Sequence, residues 1–231
     1  MDVLFGHSMK SLYLFGTCNV IHSLFSRIVI TKFFFDYPIV ISLFNMALIL
    51  SLIEFGRMTK LVKVQPYTFH RGKAMFVPSF FYCLSHNNYI PFYFFILRRQ
   101  RPSIQTLTIL MFICFGSALA SVFEISYDIW GLAYSLGALA MQTSSLVLIE
   151  KVRAQMDMSV VELIYLNSFN CLCLFLVADI VQDELRDAYS YLQTSTTTTF
   201  YVSLLTMIIS GSFGHCLLLY CVATTNTVKN I

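Results

Sequence analysis

The chain has 231 residues, of which 57% are hydrophobic and 12% are charged, and its formal net charge is +3. Soluble globular domains carry about 25% charged residues, so this composition excludes an ordinary soluble domain. No dense Lys/Arg tract is interleaved with aromatic residues, which excludes a typical nucleic-acid-binding protein. Long polar segments that could form a second domain are also missing, and we therefore expect a single transmembrane domain over residues 1–231.

Seven apolar stretches follow one another along the chain. Several are long enough to cross a hydrocarbon layer of about 30 Å, which takes about 20 residues. They predict an all-α fold, that of a polytopic helical membrane protein. In chain order the stretches are Leu12–Phe25, Tyr37–Ile53, Ala74–Leu97, Ile104–Phe123, Ile129–Ile149, Leu163–Ala178 and Phe200–Val222.

The charges between these stretches predict how the chain is threaded through the membrane. The segment Arg57–Lys73 carries five basic residues and no acidic residue. Basic residues also follow the third and fifth stretches, whereas acidic residues follow the fourth and form an expected loop, Asp179–Asp187, after the sixth. Because basic loops stay on the cytosolic side of a membrane, this alternation places Arg57–Lys73 in the cytosol and the acidic segments on the other side.

The third stretch, Ala74–Leu97, conflicts with this alternation if it crosses the membrane once, because Arg98 and Arg99 would then lie outside the cytosol. Residues 85–88 at its centre read SHNN and are followed by Pro91. Four polar residues are costly in lipid unless they are paired or form a turn. We therefore expect this stretch to enter the membrane, turn near residues 86–88 and return, which leaves both termini of the chain in the cytosol.

Pairs of small residues four positions apart predict close contacts between helices. We interpret these pairs as packing faces and not as binding sites. They are Gly116 with Ala120, Ala133 with Gly137, and Ser210 with Gly214.

No motif in the sequence predicts catalysis or metal binding. The seven cysteines lie in or beside apolar stretches, and their spacing fits neither a CxxC pair nor a zinc site. No cluster of His, Asp and Glu converges within the stretches. We therefore expect a protein that is not an enzyme, with no catalytic residue, no cofactor and no metal site.

Six short segments occur in an order and spacing that are typical of one transporter family. They are Ile30-Thr31-Lys32, Phe92–Arg99, Phe115–Ala120, Asp128–Ile149 followed by Glu150-Lys151, Ile164–Ser168, and Val228-Lys229-Asn230. Together they span nearly the whole length of the chain. By their order and spacing, the chain resembles the nucleotide-sugar transporters of the drug/metabolite transporter superfamily. The resemblance is closest to the subgroup that handles UDP-sugars.

The resemblance implies a ten-helix fold in two inverted halves, which exchanges a nucleotide sugar for a nucleoside monophosphate across the Golgi or endoplasmic reticulum membrane. The chain departs from the family around Phe81–Pro91, which is shorter than its counterpart, and between Arg101 and Ile104, where most of the fourth helix is missing. The family also continues beyond Ile231 with two more helices. We therefore expect a shortened version of the ten-helix fold, with a UDP-sugar as the substrate class.

Three cations are candidate substrate-binding residues by this resemblance. Lys32 matches a family lysine, and Arg98 and Arg99 match the family's Leu-Arg-Arg. A nucleotide sugar brings a diphosphate into a medium of low dielectric constant, where cations must neutralise it, and guanidinium groups bind phosphate in a bidentate manner. The alternatives are that Lys32 extends its ammonium group to the membrane interface and that the two arginines only set the topology.

Four further residues match family motifs that contact the substrate. Asn167 matches the first asparagine of the family's Phe-Tyr-Asn-Asn motif, which binds the base, and Tyr165 retains an aromatic ring for stacking. Lys229 and Asn230 match a Lys-Asn pair that contacts the sugar-phosphate. The alternative for Asn167 is an interhelical amide hydrogen bond, worth about 0.6–2 kcal/mol.

Two other functions compete with transport. The first is a truncated, transport-inactive family member that forms a homodimer or heterodimer and modulates a full-length partner. The second is a seven-helix receptor, which the number of stretches suggests. Two cytosolic termini argue against a receptor, as does the absence of Asp-Arg-Tyr and Asn-Pro-x-x-Tyr strings.

Overall fold

The computed structural model describes residues 2–84, 129–194 and 197–227 of the chain. Within these ranges the secondary structure consists of helices, without a strand, which confirms the predicted all-α class. The helices are α1 (Asp2–Phe33), α2 (Pro38–Met58), α3 (Phe69–Leu84), α4 (Ile129–Met156), α5 (Val160–Gln182), α6 (Glu184–Thr194) and α7 (Thr198–Thr227).

Four of these helices contain segments that are long and apolar enough to cross a membrane. The segments are Tyr13–Phe33, Pro38–Met58, Val160–Gln182 and Thr198–Ala223. The protein is accordingly a membrane-embedded helical protein. Three expectations lie outside the described residues: the fourth stretch, Ile104–Phe123, the turn near residues 86–88, and the contact of Gly116 with Ala120.

Two kinds of signal set the boundaries of the central helices. Helix α5 begins with a capping box, in which Ser159 Oγ accepts from Glu162 N at 3.3 Å and Glu162 Oε2 accepts from Ser159 N at 3.1 Å. Helix α2 begins with Pro38, whose missing N–H costs nothing at this position. The next amide, of Ile39, donates to Glu184 Oε2 of α6 at 2.9 Å. The α2 start therefore depends on a residue that is distant in sequence.

Helix α5 is the centre of the bundle, because it packs against α2, α3 and α7. Its residues from Glu162 to Ser168 are all buried, so this helix has no face that is fully exposed along that segment. Helix α1 lies at the periphery and packs along α7. Only 6% of its membrane-spanning segment is buried, which leaves most of α1 facing the lipid.

The turn between α1 and α2 packs against α6 and the start of α7 through aromatic rings. Phe35 and Phe200 are fully buried, with their ring centroids 5.5 Å apart. Tyr37 and Tyr191 lie 4.9 and 5.3 Å from Phe35, and Tyr191 Oη donates to the carbonyl of Phe33. We call Phe33, Phe35, Tyr37, Tyr191 and Phe200 the aromatic end. Offset and edge-to-face pairs of this kind contribute about 0.5–1.5 kcal/mol each beyond the area that they bury.

The acidic segment after the sixth stretch is largely helical, so the expected loop Asp179–Asp187 is wrong. Helix α5 continues to Gln182, Asp183 adopts a left-handed conformation at φ 56°, and α6 then begins at Glu184. Apolar residues three to four positions apart in α6 give it one face, from which Ala188 is buried against the aromatic end. This short amphipathic helix lies beside the bundle and does not cross it.

Candidate functional site

Polar side chains lie buried or half-buried along the middle of the membrane-spanning helices. His22 of α1, Asn45 of α2, Asn167 of α5 and His215 of α7 each lie about two helical turns or more from both ends of their spans. Asn45 and His215 are 5% exposed, and Asn167 is fully buried. A polar group without a partner costs several kcal/mol in hydrocarbon, so each of these side chains needs a hydrogen-bond partner within the protein.

Four side chains from α3, α5 and α7 form one hydrogen-bonded series, which we call the central cluster: Ser79, Tyr82, Asn167 and His215. Ser79 Oγ lies 2.9 Å from Asn167 Oδ1 and 2.8 Å from the Met75 carbonyl, so its single proton is shared between these two acceptors. Asn167 Nδ2 lies 3.3 Å from His215 Nε2, and His215 Nδ1 lies 2.7 Å from Tyr82 Oη. The cluster therefore joins three helices through neutral polar groups in the interior of the membrane.

The series fixes the tautomer of His215. The amide nitrogen of Asn167 can only donate, so His215 Nε2 accepts and the ring carries its proton on Nδ1. That N–H then donates to Tyr82 Oη. The Tyr82 ring also meets the imidazole edge-on, with the centroids 4.7 Å apart. The imidazole is thus held in one orientation by a hydrogen bond on each nitrogen.

Helix α3 carries two members of the cluster just after a proline. Pro78 has no N–H and cannot form the helical bond to the carbonyl four residues earlier. Ser145 Oγ of α4 donates to the Pro78 carbonyl at 2.8 Å, and Cys171 Sγ of α5 lies 3.8 Å from the Ser79 carbonyl. Contacts from both neighbouring helices therefore position Ser79.

A second group of polar residues holds α1 and α2 against α7. His22 Nδ1 donates to the carbonyl of Met207 at 3.0 Å, and Ser212 Oγ donates to the carbonyl of Asn45 at 3.1 Å. Between them lies Gly211, where an added Cβ would stand 2.9 Å from the His22 ring and 3.1 Å from Asn45 Nδ2. A residue larger than glycine would therefore have to displace the His22 ring or the Asn45 amide.

Ser210 and Gly214, the predicted pair on α7, are both buried, but the closest approach of neighbouring helices to an α7 glycine in the described residues is at Gly211. An added Cβ at Gly214 would meet nothing within 4 Å, and the Ser210 hydroxyl donates within its own helix, to the Thr206 carbonyl at 2.7 Å. Gly137 is exposed, and an added Cβ there would meet none of the described atoms within 4 Å, whereas the side chain of Ala133, its predicted companion, lies outside the described part of the structure. Spacing alone cannot say which small residue faces a neighbour, since that depends on how the helix is rotated.

One boundary of the bundle is held by charged residues, which we call the ionic end: Glu54, Arg57, Arg71, Glu162 and Tyr165. Arg57 Nη2 lies 2.7 Å from Glu54 Oε2, and Arg71 Nη1 lies 3.5 Å from Glu162 Oε1. Tyr165 Oη donates to Glu54 Oε1 at 2.8 Å. These contacts tie the end of α2 and the start of α3 to the first turns of α5.

A related contact fixes the loop before α3 to α5. Asn170 Nδ2 donates to the carbonyl of Gly72 at 2.9 Å, and Tyr67 Oη donates to Asn170 Oδ1 at 3.1 Å. An added Cβ at Gly72 would stand 1.9 Å from Tyr67 Oη, so this position also needs glycine. Burial raises the pKa of Tyr67 above its ordinary value, which keeps the phenol protonated and able to donate.

The structure separates the residues that the sequence assigns to the substrate. Asn167 lies in the central cluster, whereas Tyr165 is 7% exposed and lies in the ionic end with its ring packed in the core. Lys32 lies in the last turn of α1, exposed, with Nζ 5.6 Å from the Phe33 ring centroid. Lys32 therefore lies beside the aromatic end. The remaining four candidates lie outside the described residues: Arg98, Arg99, Lys229 and Asn230.

Three residues of the central cluster are missing from the sequence-based assignment: Ser79, Tyr82 and His215. A signal for His215 does exist, because an ionisable residue inside an otherwise uncharged stretch marks a functional position in membrane proteins. Ser79 follows Pro78, and that proline is the only local hint of its importance. Tyr82 lies among other aromatic residues, and nothing in the sequence distinguishes it.

In the part of the chain that the structure describes, no group of three or more His, Cys, Asp or Glu side chains is arranged to hold a metal ion. The described cysteines are all free thiols. The central cluster is therefore the best candidate for a functional site, and its groups are suited to hydrogen bonding of a polar solute.

Searches against protein-family models, curated proteins and solved structures found no match for the chain.

Proposed function

We propose that the chain transports a nucleotide sugar across the Golgi or endoplasmic reticulum membrane in exchange for a nucleoside monophosphate, with a UDP-sugar as the substrate class. The observation that carries the proposal is the central cluster. It collects an amide, an imidazole and two hydroxyls from three helices in the interior of the membrane. Many transporters bind their substrates near the bilayer midplane, and an ionisable residue such as His215 inside a membrane-spanning helix marks a functional position in membrane proteins.

The chemistry of Asn167 supports a base as the bound group. A carboxamide offers a donor and an acceptor side by side, which complements the N–H and carbonyl on the edge of a uracil ring. In the structure Ser79 and His215 occupy these two positions. A base that enters would exchange these bonds for its own, so the amide stays hydrogen-bonded in both states and the net cost remains small.

We also propose that the chain has the shortened ten-helix fold and that it has one orientation in the membrane. The ionic end borders the basic segment Arg57–Lys73, so we place it in the cytosol together with both termini. The aromatic end then faces the lumen, where aromatic rings are favoured at the membrane–water interface. Lys32, on the lumenal side, would meet a phosphate at that entrance and not beside Asn167.

A second candidate is a transport-inactive subunit that dimerises with a related transporter and modulates it. Two observations favour it. Asn167 and Ser79 have no exposed surface and bond to each other, as expected of a structural brace between α3 and α5. Lys32 also lies at the aromatic end, away from the interior position of Asn167.

The test is exchange of labelled UDP-sugar for UMP in vesicles that contain the purified chain. Asn167→Ala should lower substrate affinity about tenfold to a hundredfold, because a polar contact in a dehydrated site contributes about 1.5–3 kcal/mol. Lys32→Ala should lower it in the same direction. The matched control is Ser168→Ala: Ser168 is the next residue on α5 and is also fully buried, but its hydroxyl has no hydrogen-bond partner among the described residues.

Three results are distinguishable. Loss of affinity in Asn167→Ala with normal exchange in Ser168→Ala supports transport through the central cluster. Exchange with unchanged affinity in Asn167→Ala makes Asn167 a structural brace and contradicts the assigned site. No exchange by the chain alone, with altered exchange by a full-length transporter reconstituted beside it, favours the second candidate.

A further inference from the structure

A cavity of about 520 Å³ lies between the end of α2 and the start of α5, outside the central cluster. We call it the basic pocket, and the residues of interest in its wall are Arg57, Lys60, Lys63, Gln65 and Glu162. The membrane-spanning segment of α2 ends at Met58. The pocket therefore begins at the membrane boundary, at the depth of lipid headgroups.

The charges around the basic pocket do not balance. Arg57 is paired with Glu54 at 2.7 Å, and Glu162 is paired with Arg71 at 3.5 Å, so these four charges cancel in two pairs. Within the described ranges, neither Lys60 nor Lys63 forms an ion pair. The pocket therefore holds two positive charges without a counter-charge.

The backbone holds these lysines in place. Leu61 N and Val62 N both donate to the Gly56 carbonyl, at 2.9 and 3.1 Å, and an added Cβ at Gly56 would stand 3.0 Å from Val62 Cγ2. The buried side chain of Val64 anchors the segment to the core. The loop that carries Lys60 and Lys63 is thus packed closely against the end of α2.

Lys60 occupies a conformation that favours glycine. Its φ is 60°, in the left-handed region, where a residue with a Cβ is strained. Helices commonly end with glycine at such a position. Lys60 is exposed and lines the pocket from this position.

We propose that the basic pocket binds a phosphate group. Two unpaired ammonium groups can each donate several hydrogen bonds to phosphate oxygens, and the Gln65 amide and Arg57 add donors at the wall. The Glu162 carboxylate also lies in the wall, but Arg71 neutralises it. The phosphate could belong to the headgroup of an anionic lipid or to a soluble compound, and this inference does not depend on which solute the protein transports.

The probe is a fluorescent, short-chain phosphatidylinositol monophosphate, whose binding to the full chain in detergent micelles is followed by anisotropy. We expect saturable binding that weakens as salt rises, because the contact is electrostatic. The double variant Lys60→Gln/Lys63→Gln should bind about tenfold or more weakly, because it loses both cations that lack an ion pair in the described residues. The matched control is Lys73→Gln, an exposed lysine of the same basic segment that does not line the pocket.

A second double variant shows whether weaker binding comes from the lost charges or from misfolding. Lys60→Gly/Lys63→Gln removes the same charges but relieves the left-handed backbone, so it should unfold at a higher temperature than Lys60→Gln/Lys63→Gln while binding equally poorly. Competition then identifies the source of the phosphate: displacement by inositol phosphate or inorganic phosphate indicates a soluble ligand, and displacement by the chain-bearing lipid alone indicates a lipid. Absence of saturable binding would overturn the proposal. So would an equal loss in Lys73→Gln, or full binding by either double variant.

Discussion

The two ends of the bundle are held together by different interactions. At the ionic end, carboxylates of α2 and α5 meet arginines and a tyrosine hydroxyl, with heavy-atom distances from 2.7 to 3.5 Å. At the aromatic end, buried rings meet at centroid distances near 5 Å, and the carboxylate of Glu184 accepts from the amide of Ile39 at the start of α2. Ion pairs weaken with salt, whereas ring packing does not. The ionic end is therefore the end whose stability depends on solution conditions.

If the chain transports a solute as we propose, the difference between the two ends has a consequence for how the bundle opens. A bundle that opens alternately on two sides needs contacts that can separate as well as contacts that stay. Partly exposed ion pairs contribute little net energy and separate at low cost. A closely packed group of aromatic rings loses much more when it opens. The comparison thus predicts that the aromatic end stays closed when the ionic end opens.

The largest effect is expected at the aromatic end. Phe200→Ala removes a fully buried ring that contacts Phe33, Phe35 and Tyr191, and should lower the free energy of unfolding by about 3–5 kcal/mol. Unfolding in detergent micelles by increasing denaturant measures it. The control is Phe213→Ala, on the same helix but 53% exposed, which should change stability little. Equal losses in the two variants would mean that the aromatic end is not a packed unit.

The next largest effect is expected between the two ends, where α1 and α2 meet α7 at Gly211. Gly211→Ala puts a methyl group 2.9 Å from the His22 ring and should cost about 1–3 kcal/mol, because α1 must move away from α7. Gly214→Ala is the control, since its methyl group meets nothing within 4 Å and alanine favours the helix by about 1 kcal/mol. Thermal unfolding of both variants measures the two changes in stability. A stabilised Gly211→Ala variant would show that the helices are not in contact there.

A smaller effect is expected at the ionic end, together with a dependence on salt. Arg71→Ala removes the partner of Glu162, whose carboxylate still accepts from Ser159 N, so the loss should be about 1 kcal/mol. This loss should shrink as salt rises, while that of Phe200→Ala stays constant. The control is Arg186→Ala, whose ion pair with Asp183 is almost fully exposed and should contribute nothing measurable. A loss that is independent of salt would contradict the ionic description.

The smallest effect concerns pH at the aromatic end. Burial raises the pKa of Glu184 above 4.5, the nearby carboxylates of Asp179 and Asp36 add to this, and the amides of Ile39 and Val40 oppose it. A carboxyl whose pKa is higher in the folded state favours folding when protonated, so stability should fall as pH rises from 4.5 through the raised pKa. Glu184→Gln keeps an oxygen that accepts from Ile39 and should remove this slope. An unchanged slope in unfolding measured across that range would refute the assignment.

The sequence predicts the helices of the described bundle well, because uncharged stretches of about 20 residues have few alternatives in a membrane. It does not predict α6, whose 11 residues are too few and too polar to resemble a span. Short amphipathic helices depend on a neighbour for their apolar face. Here that neighbour, the start of α2, is far away in the sequence, so no local pattern reveals it.

The candidate site is predictable only in part, for a related reason. Asn167 was assigned from a family motif, but its partners Ser79 and His215 are 88 and 48 residues away in sequence. Which polar residues meet depends on how three helices are rotated, and hydropathy carries little information on rotation. The same argument explains why Gly211, and not Gly214, is the contact point on α7.

The hydrogen bond from His22 to the Met207 carbonyl has a consequence for synthesis of the chain. These two residues are separated by 185 positions, and ribosomes add about 5–20 residues per second, so the partner is made about 10–40 s after His22. The amide of Ile39 waits for Glu184 across 145 positions. Throughout this interval the nascent α1–α2 hairpin lacks its final partners for an interior imidazole and a helix start. This hairpin is therefore the part of the nascent chain that depends longest on the insertion machinery.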